Sequence, residues 1–234
     1  MDIIRHPSCE RGRTRLPWLD SRHSFSFGHY YEPRRMGFGA LRVINEDIVA
    51  PGAGFPTHSH ANMEIVSIVL DGALAHRDSL GNSETIHSGD VQRMRAGSGI
   101  EHSEYNASQT EPVHFLQIWL LPRQQDQTPG HVQRSFPPEE RDNRWCLVVS
   151  PDGRADSLPI DQQAQIHLTR LAAGRTLEHP LETGQRAWLQ LTRGNARLNG
   201  QALSAGDAAA VCGSGTLTLE ADSPVEACLF QLQD

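Results

Sequence analysis

At 234 residues and a net charge of −7, the chain can fold as one large domain or two smaller ones, and its acidic balance disfavours a sequence-independent grip on nucleic acid or an anionic membrane. All 21 basic residues are arginine, so chemistry through a lysine Schiff base is excluded. Glycine (20) and proline (14) are interleaved with apolar alternation, which marks turn-rich β structure rather than disorder.

The opening Met1-Asp2-Ile3-Ile4-Arg5-His6 lacks the basic-then-apolar run of a secretory leader. No stretch approaches ~20 consecutive apolar residues, so no membrane-spanning helix is expected. Cys9, Cys146, Cys212 and Cys228 lie far apart and are expected to be reduced, mostly buried and inert. A cytoplasmic, monomeric protein is the plain expectation.

Strand signals dominate in chain order. Residues 23–31 alternate, with Phe25, Phe27 and His29 on one face, and read as an ordinary half-buried strand with His23 and His29 outside any site. Residues 40–44 follow, then 64–70, a run rich in β-branched side chains. Asp71-Gly72, Leu80-Gly81-Asn82 and Ser88-Gly89-Asp90 mark turns, and residues 91–94 and 113–121 are further strands. Residues 122–145 are polar and contain proline, with one helical turn expected at Pro137-Pro138-Glu139-Glu140. Strand patterns resume at 146–150, 166–171, 187–191, 196–198, 215–219 and 227–232. Short strands at intervals of about 8–12 residues predict a sandwich or barrel. The expected division is a domain over 1–121, a connection over 122–145 and a second domain over 146–234.

The second half faintly repeats the first. Ile68-Val69-Leu70-Asp71-Gly72 followed by Ser88-Gly89-Asp90 parallels Leu189-Gln190-Leu191-Thr192-Arg193-Gly194 followed by Ala205-Gly206-Asp207. In this alignment Leu177-Glu178-His179-Pro180-Leu181 matches the region of His58 and His60, and nothing replaces His102 or Glu104. The C-terminal half is therefore expected to repeat the fold without an ion.

Chemistry concentrates in His58-Ser59-His60 and His102-Ser103-Glu104. A strand points every second side chain to one face, so two strands can aim three imidazoles and one carboxylate at a common point. Such donors suit a divalent first-row metal and leave room for water or substrate. His76, His87 and His114 lack a partner at spacing two and are read as surface or edge residues. Glu64 is a rival carboxylate. It lies four residues after His60, roughly 13 Å along an extended strand, and no glycine or proline between them invites a bend. Glu104 is therefore the expected ligand, with Glu64 in a hydrogen-bonding role. Phe55, Met63 and the aromatic run over 23–31 are candidates to line a pocket for a flat substrate, with core packing the plainer role for each.

The run Gly52-x5-His58-x-His60-x3-Glu64-x7-Gly72 resembles the first cupin motif, and Gly89-x5-Arg95-x-Gly97-x4-His102-x3-Asn106 resembles the second, with Arg95 where proline is usual. Within cupins, the text around these motifs is similar to the pirin family, and closest to bacterial pirin-like quercetinases. The resemblance covers residues ~16–121 strongly and the rest loosely. It implies an all-β bicupin of two stacked jelly-roll barrels with only short helices. It also implies one divalent ion in the first barrel, held by His58, His60, His102 and Glu104. Iron is the first choice, with copper, nickel, zinc, manganese and cobalt as alternatives. The implied activity is cleavage of the flavonol quercetin, or a related planar enol or phenol, by O2 to a depside and carbon monoxide, with Glu104 accepting the substrate proton. A second reading, from the animal members, is a metal-loaded regulatory or redox-sensing protein acting through a protein partner. A third is a sugar-binding or isomerase cupin, for which a more polar pocket is expected.

Overall fold

In the computed structural model, which describes residues 1–233, the chain is almost entirely β-strand, with one short α-helix, α1 (Pro138–Arg141), among the described residues. The strands before it are β1 (Asp2–His6), β2 (Gly12–Leu16), β3 (Leu19–His23), β4 (Leu41–Val49), β5 (Gly54–His60), β6 (Glu64–Asp71), β7 (Ala73–Asp78), β8 (Ser83–His87), β9 (Asp90–Arg95), β10 (Ile100–Asn106), β11 (Val113–Leu120) and β12 (Gly130–Ser135). After it come β13 (Cys146–Ser150), β14 (Leu158–Pro159), β15 (Ala164–Leu171), β16 (Thr176–Leu181), β17 (Gln185–Arg193), β18 (Asn195–Leu198), β19 (Gln201–Ser204), β20 (Ala208–Cys212), β21 (Gly215–Ala221) and β22 (Val225–Gln233). No helix among the described residues is long and apolar enough to cross a membrane.

Two compact units result. The N-terminal unit comprises Gly12–Phe136 with Ile160–Gln162, and the C-terminal unit comprises Met1–Arg11, Pro137–Pro159 and the chain from Gln163 onward. Each is a seven-stranded sheet with a four-stranded sheet. The N-terminal orders are β12-β9-β6-β11-β4-β3-β2 and β5-β10-β7-β8; the C-terminal orders are β1-β20-β17-β22-β15-β13-β14 and β16-β21-β18-β19. The eight strands β4–β11 and β15–β22 take matching places in these orders, so the internal repeat seen in the sequence is a repeat of topology, while the edges differ: β2 and β3 are antiparallel and β13 and β14 parallel.

Several local expectations differ from the structure. The first eleven residues belong to the C-terminal unit, because β1 pairs with β20 from Asp2↔Cys212 to His6↔Ala208. Residues 122–145 are more than a connection, since β12 pairs with β9 along its whole length. The expected strand over 23–31 ends at His23. Beyond it the chain turns back on itself through a Phe27↔Tyr30 bridge, with Gly28 at a φ of 56°. The four cysteines are free, but Cys9 and Cys212 are exposed and only Cys228 is fully buried. Apolar alternation in 23–31 reflects packing of individual rings, with Phe25 only 3% exposed, rather than pairing of a strand.

The inward rows of the N-terminal unit explain where a site can form. Along β11, Val113 and Phe115 belong to one apolar cluster and Trp119 packs against another, with Gln117 between them. Along β6, Val69 and Ile65 divide in the same way around Ser67. The core is thus split by a polar layer. The corresponding C-terminal core is one continuous cluster that includes Leu189, Leu217, Leu219 and Leu229.

Candidate metal centre

Strand parity decides which side chains of β5 and β10 face inward. The pattern of β10 buries Ile100, His102, Glu104 and Asn106 while Glu101 and Tyr105 face out, so His102 and Glu104 share the inner face. On the edge strand β5, His58 stands opposite His102 and His60 opposite Ile100. Pro56 removes one ladder donor, which an edge strand tolerates. A register shift between His102 and Glu104 sets Glu104 opposite Phe55. Gly54 makes this close approach possible, because a side chain there would run into the backbone of Glu104 and Tyr105.

The three rings converge. Centroids are 4.8 Å apart for His58–His60, 4.4 Å for His58–His102 and 5.0 Å for His60–His102, and one ligating nitrogen from each lies within 4.8 Å of the others. His58 Nδ1 lies 2.8 Å from the Pro56 carbonyl oxygen, which can only accept, so Nδ1 donates this hydrogen bond and Nε2 is the nitrogen left for an ion. Both ring nitrogens of His102 are buried without a hydrogen-bond partner. Burial, then the neighbouring His58, lowers the His60 pKa to about 4, and burial with His58, His60 and His76 nearby lowers that of His102 still further. These imidazoles are neutral near pH 7 and offer lone pairs. An orphaned His102 nitrogen beside the rings of His58 and His60 fits a divalent first-row ion.

Glu104 is fixed from the other side. Its Oε2 accepts a 2.7 Å hydrogen bond from Gln117 Nε2, while Ser67 Oγ lies 3.3 Å from Oε1 and 2.6 Å from Gln117 Oε1. Burial pushes the Glu104 carboxyl above its usual range, opposed by the Gln117 hydrogen bond and by His76 and His58. One ligand atom each of Glu104, His102 and His76 lies within 4.8 Å of the others, so the carboxylate stands on the His76 side of His102. His76 was expected at a surface or edge. It is 1% exposed, stands opposite Glu104 on β7 and reaches Asp78 Oδ2 at 3.2 Å. His87 and His114 stay peripheral: the His87 side chain is 67% exposed, and His114 Nε2 pairs with Glu46 at 3.0 Å.

Glu64 does not join the cluster, though not for the reason expected. The chain does bend between His60 and Glu64, at Asn62 with a φ of 52°. Glu64 is instead held by Arg95 Nε at 2.9 Å, the Asp161 backbone N–H at 3.3 Å and Arg93 Nε at 3.8 Å. The arginine at the usual proline position thus supplies the countercharge of this buried carboxylate.

A cavity opens on the cluster, lined by His58, His60, Glu104, Phe55, Phe27 and Trp119, with Thr14, Ser21, Asn45, Asp47 and Gln117 among its polar wall. The Trp119 ring stands edge-on to His60 at 4.9 Å. His23 sits behind this wall, 2.8 Å from both Thr14 Oγ1 and Asn45 Oδ1. Met63 lines a separate hollow with Tyr30, Tyr31 and Met36, so Phe55 faces the cluster and Met63 does not. Sequence reasoning missed Gln117, Trp119 and His76, while Phe27 belongs to the aromatic segment expected to line a pocket. Gln117 left a signal, as the one amide in an otherwise apolar Phe115-Leu116-Gln117-Ile118-Trp119 run.

Two all-β units, one with a histidine cluster facing a cavity, define a bicupin with a candidate metal centre. Residues 6–120 match the Pirin family model and residues 147–232 match the quercetinase C-terminal cupin domain. The chain is 43% identical over 230 residues to quercetin 2,3-dioxygenase of Escherichia coli (strain K12), with 98% of each covered. It is 38% identical over 228 residues to a pirin-like protein of Caulobacter vibrioides, covering 97% of this chain and 98% of the relative. The crystal structure of the bacterial pirin YhhW from Escherichia coli in complex with nickel(II) superposes at a TM-score of 0.94 with 41% identity, covering 99% of both chains. The chain belongs to the pirin family. It is an oxidoreductase of the quercetin 2,3-dioxygenase-like kind.

Proposed function

We propose that the protein uses one divalent metal ion, held by His58, His60, His102 and Glu104, to cleave a flavonol or a related flat enol or phenol with O2. The observation that carries this reading is that Glu104, a buried carboxyl, lines the same cavity as His58 and His60, walled by Phe55, Phe27 and Trp119. The bound ion would act as a Lewis acid and template for the substrate's enolic oxygen. A nickel-bound relative and the iron that the family resemblance implies keep both metals as candidates.

The chain's own residues then have distinct tasks. Phe55, Phe27 and Trp119 flank a slot that suits flat rings and limits water. Glu104 accepts the acidic hydroxyl proton of the flavonol, and Gln117 holds the carboxylate in position through its Nε2–H. The resulting electron-rich anion and O2 combine. Both oxygen atoms enter the products, the heterocycle opens to the depside, and one carbon leaves as carbon monoxide.

The test is to follow flavonol absorbance and carbon monoxide from metal-reconstituted protein with and without O2. Oxygen-dependent loss of flavonol with equimolar carbon monoxide supports the proposal. A fully loaded protein that turns over neither quercetin nor simpler enols would overturn it and leave the regulatory reading.

A further inference from the structure

The C-terminal unit contains a second pair of imidazoles. His167 on β15 and His179 on β16 come from the two different sheets of that unit and are 8% and 9% exposed. Their ring centroids are 4.9 Å apart with planes at 66°. The three ring pairs of the N-terminal cluster span 4.4–5.0 Å and 52–82°, so the C-terminal pair shares their mutual setting.

The repeat does not supply this pair. Strand register puts His179 opposite Leu217 on β21, as His58 stands opposite His102, and Leu181 and Leu219 fall where His60 and Glu104 lie in the N-terminal unit. His167 arrives instead from β15, which is why His179 looks solitary in the sequence.

Both rings are prepared as donors. His179 Nε2 lies 2.8 Å from Gln231 Oε1, a carbonyl oxygen that can only accept, so Nε2 carries the proton and Nδ1 keeps its lone pair. His167 Nδ1 is buried with no partner, and a buried polar atom without one calls for an explanation. Burial, then the adjacent His179, lowers the His167 pKa to about 3, and burial lowers that of His179, so both are neutral near pH 7. The Trp145 ring stands edge-on to His179 at 6.1 Å and borders the pair.

We propose that His167 and His179 form a second transition-metal site inside the C-terminal unit, taking a late first-row divalent ion such as nickel, copper or zinc. Imidazole favours these ions. With two protein donors and no carboxylate, the site leaves the rest of the shell to water or a small anion, and it fills after the N-terminal centre.

Nickel(II) alone is the probe. Metal-free full-length protein is saturated, cleared of loose ion by gel filtration and analysed for metal. The unmodified protein should hold about two ions per chain, and His167→Gln and His179→Gln about one each. His58→Gln/His102→Gln should still bind one ion and gain thermal stability from nickel(II), and adding His167→Gln should remove both effects. One ion per chain in the unmodified protein at saturation would overturn the proposal, whatever the variants do. So would an uptake that His167→Gln leaves unchanged. None of these readouts depends on flavonol turnover, so they stand apart from the test of the catalytic reading.

Discussion

His102 stands directly opposite His58 across the β5–β10 ladder, with ring centroids 4.4 Å apart and both His102 nitrogens buried without partners. Buried polar atoms are normally paired. The arrangement makes sense when a bound ion takes the place of the missing partner, and the predictions below follow from it.

Glu104→Gln keeps the shape of the side chain but removes the anionic donor and the proton acceptor. Metal retention should weaken and flavonol turnover should fall by about 10²–10⁴-fold. Glu64→Gln should keep the ion and a measurable rate, because its partners are Arg95 and Arg93 rather than the histidines. Its cost should appear as stability, about 3–5 kcal/mol for a buried ion pair broken on one side. Metal analysis, turnover and denaturant unfolding of the two variants separate these outcomes.

Gln117→Leu removes the 2.7 Å hydrogen bond that positions Glu104. Groups that orient a metal's ligands typically contribute about 10–100-fold in affinity or activity, and a loss of that size is expected here. Gln117→Glu, which keeps the length but not the donor, should fail to restore function. Competition with a chelator measures the metal affinity directly.

Phe55→Ala should raise KM for a flavonol with metal content unchanged, since Phe55 lines the cavity with His58, His60 and Glu104. Met63→Ala should leave KM near its original value, since Met63 lines the neighbouring hollow. Steady-state kinetics of the loaded variants give the comparison.

The metal-free protein should lose stability as pH falls. His167 titrates at about 3 in the fold against an ordinary value of 6.5. Between those values the unfolded chain binds a proton that the fold does not. The stabilisation is therefore complete above pH 6.5 and declines toward pH 3, by up to about 1.4 kcal/mol per pH unit for one such group. Denaturant unfolding between pH 7 and 4 should show a shallower pH slope for His167→Phe than for the unmodified protein.

Much of this site was legible because strand geometry is periodic. Spacing two put His58 with His60, and His102 with Glu104, before any pairing was known. What periodicity cannot show is which strand lies beside which. His76 reaches Glu104 only because β7 is the other neighbour of β10, and Gln117 meets Glu104 from a different sheet. His167 and His179 come together for the same reason. The chain bends at Asn62 without glycine or proline, because asparagine adopts left-handed backbone more readily than most residues, and Glu64 is held by Arg95 and Arg93. The failed strand over 23–31 shows the converse, that alternation of large rings can record packing in a looped segment.

The most direct measurement is anomalous diffraction from crystals of the metal-loaded protein, collected at the absorption edge of the ion. The strongest peak should lie about 2.0–2.2 Å from a nitrogen of each of His58, His60 and His102 and from a Glu104 oxygen. A peak beside Glu64, or none near His102 in fully loaded protein, would contradict the account.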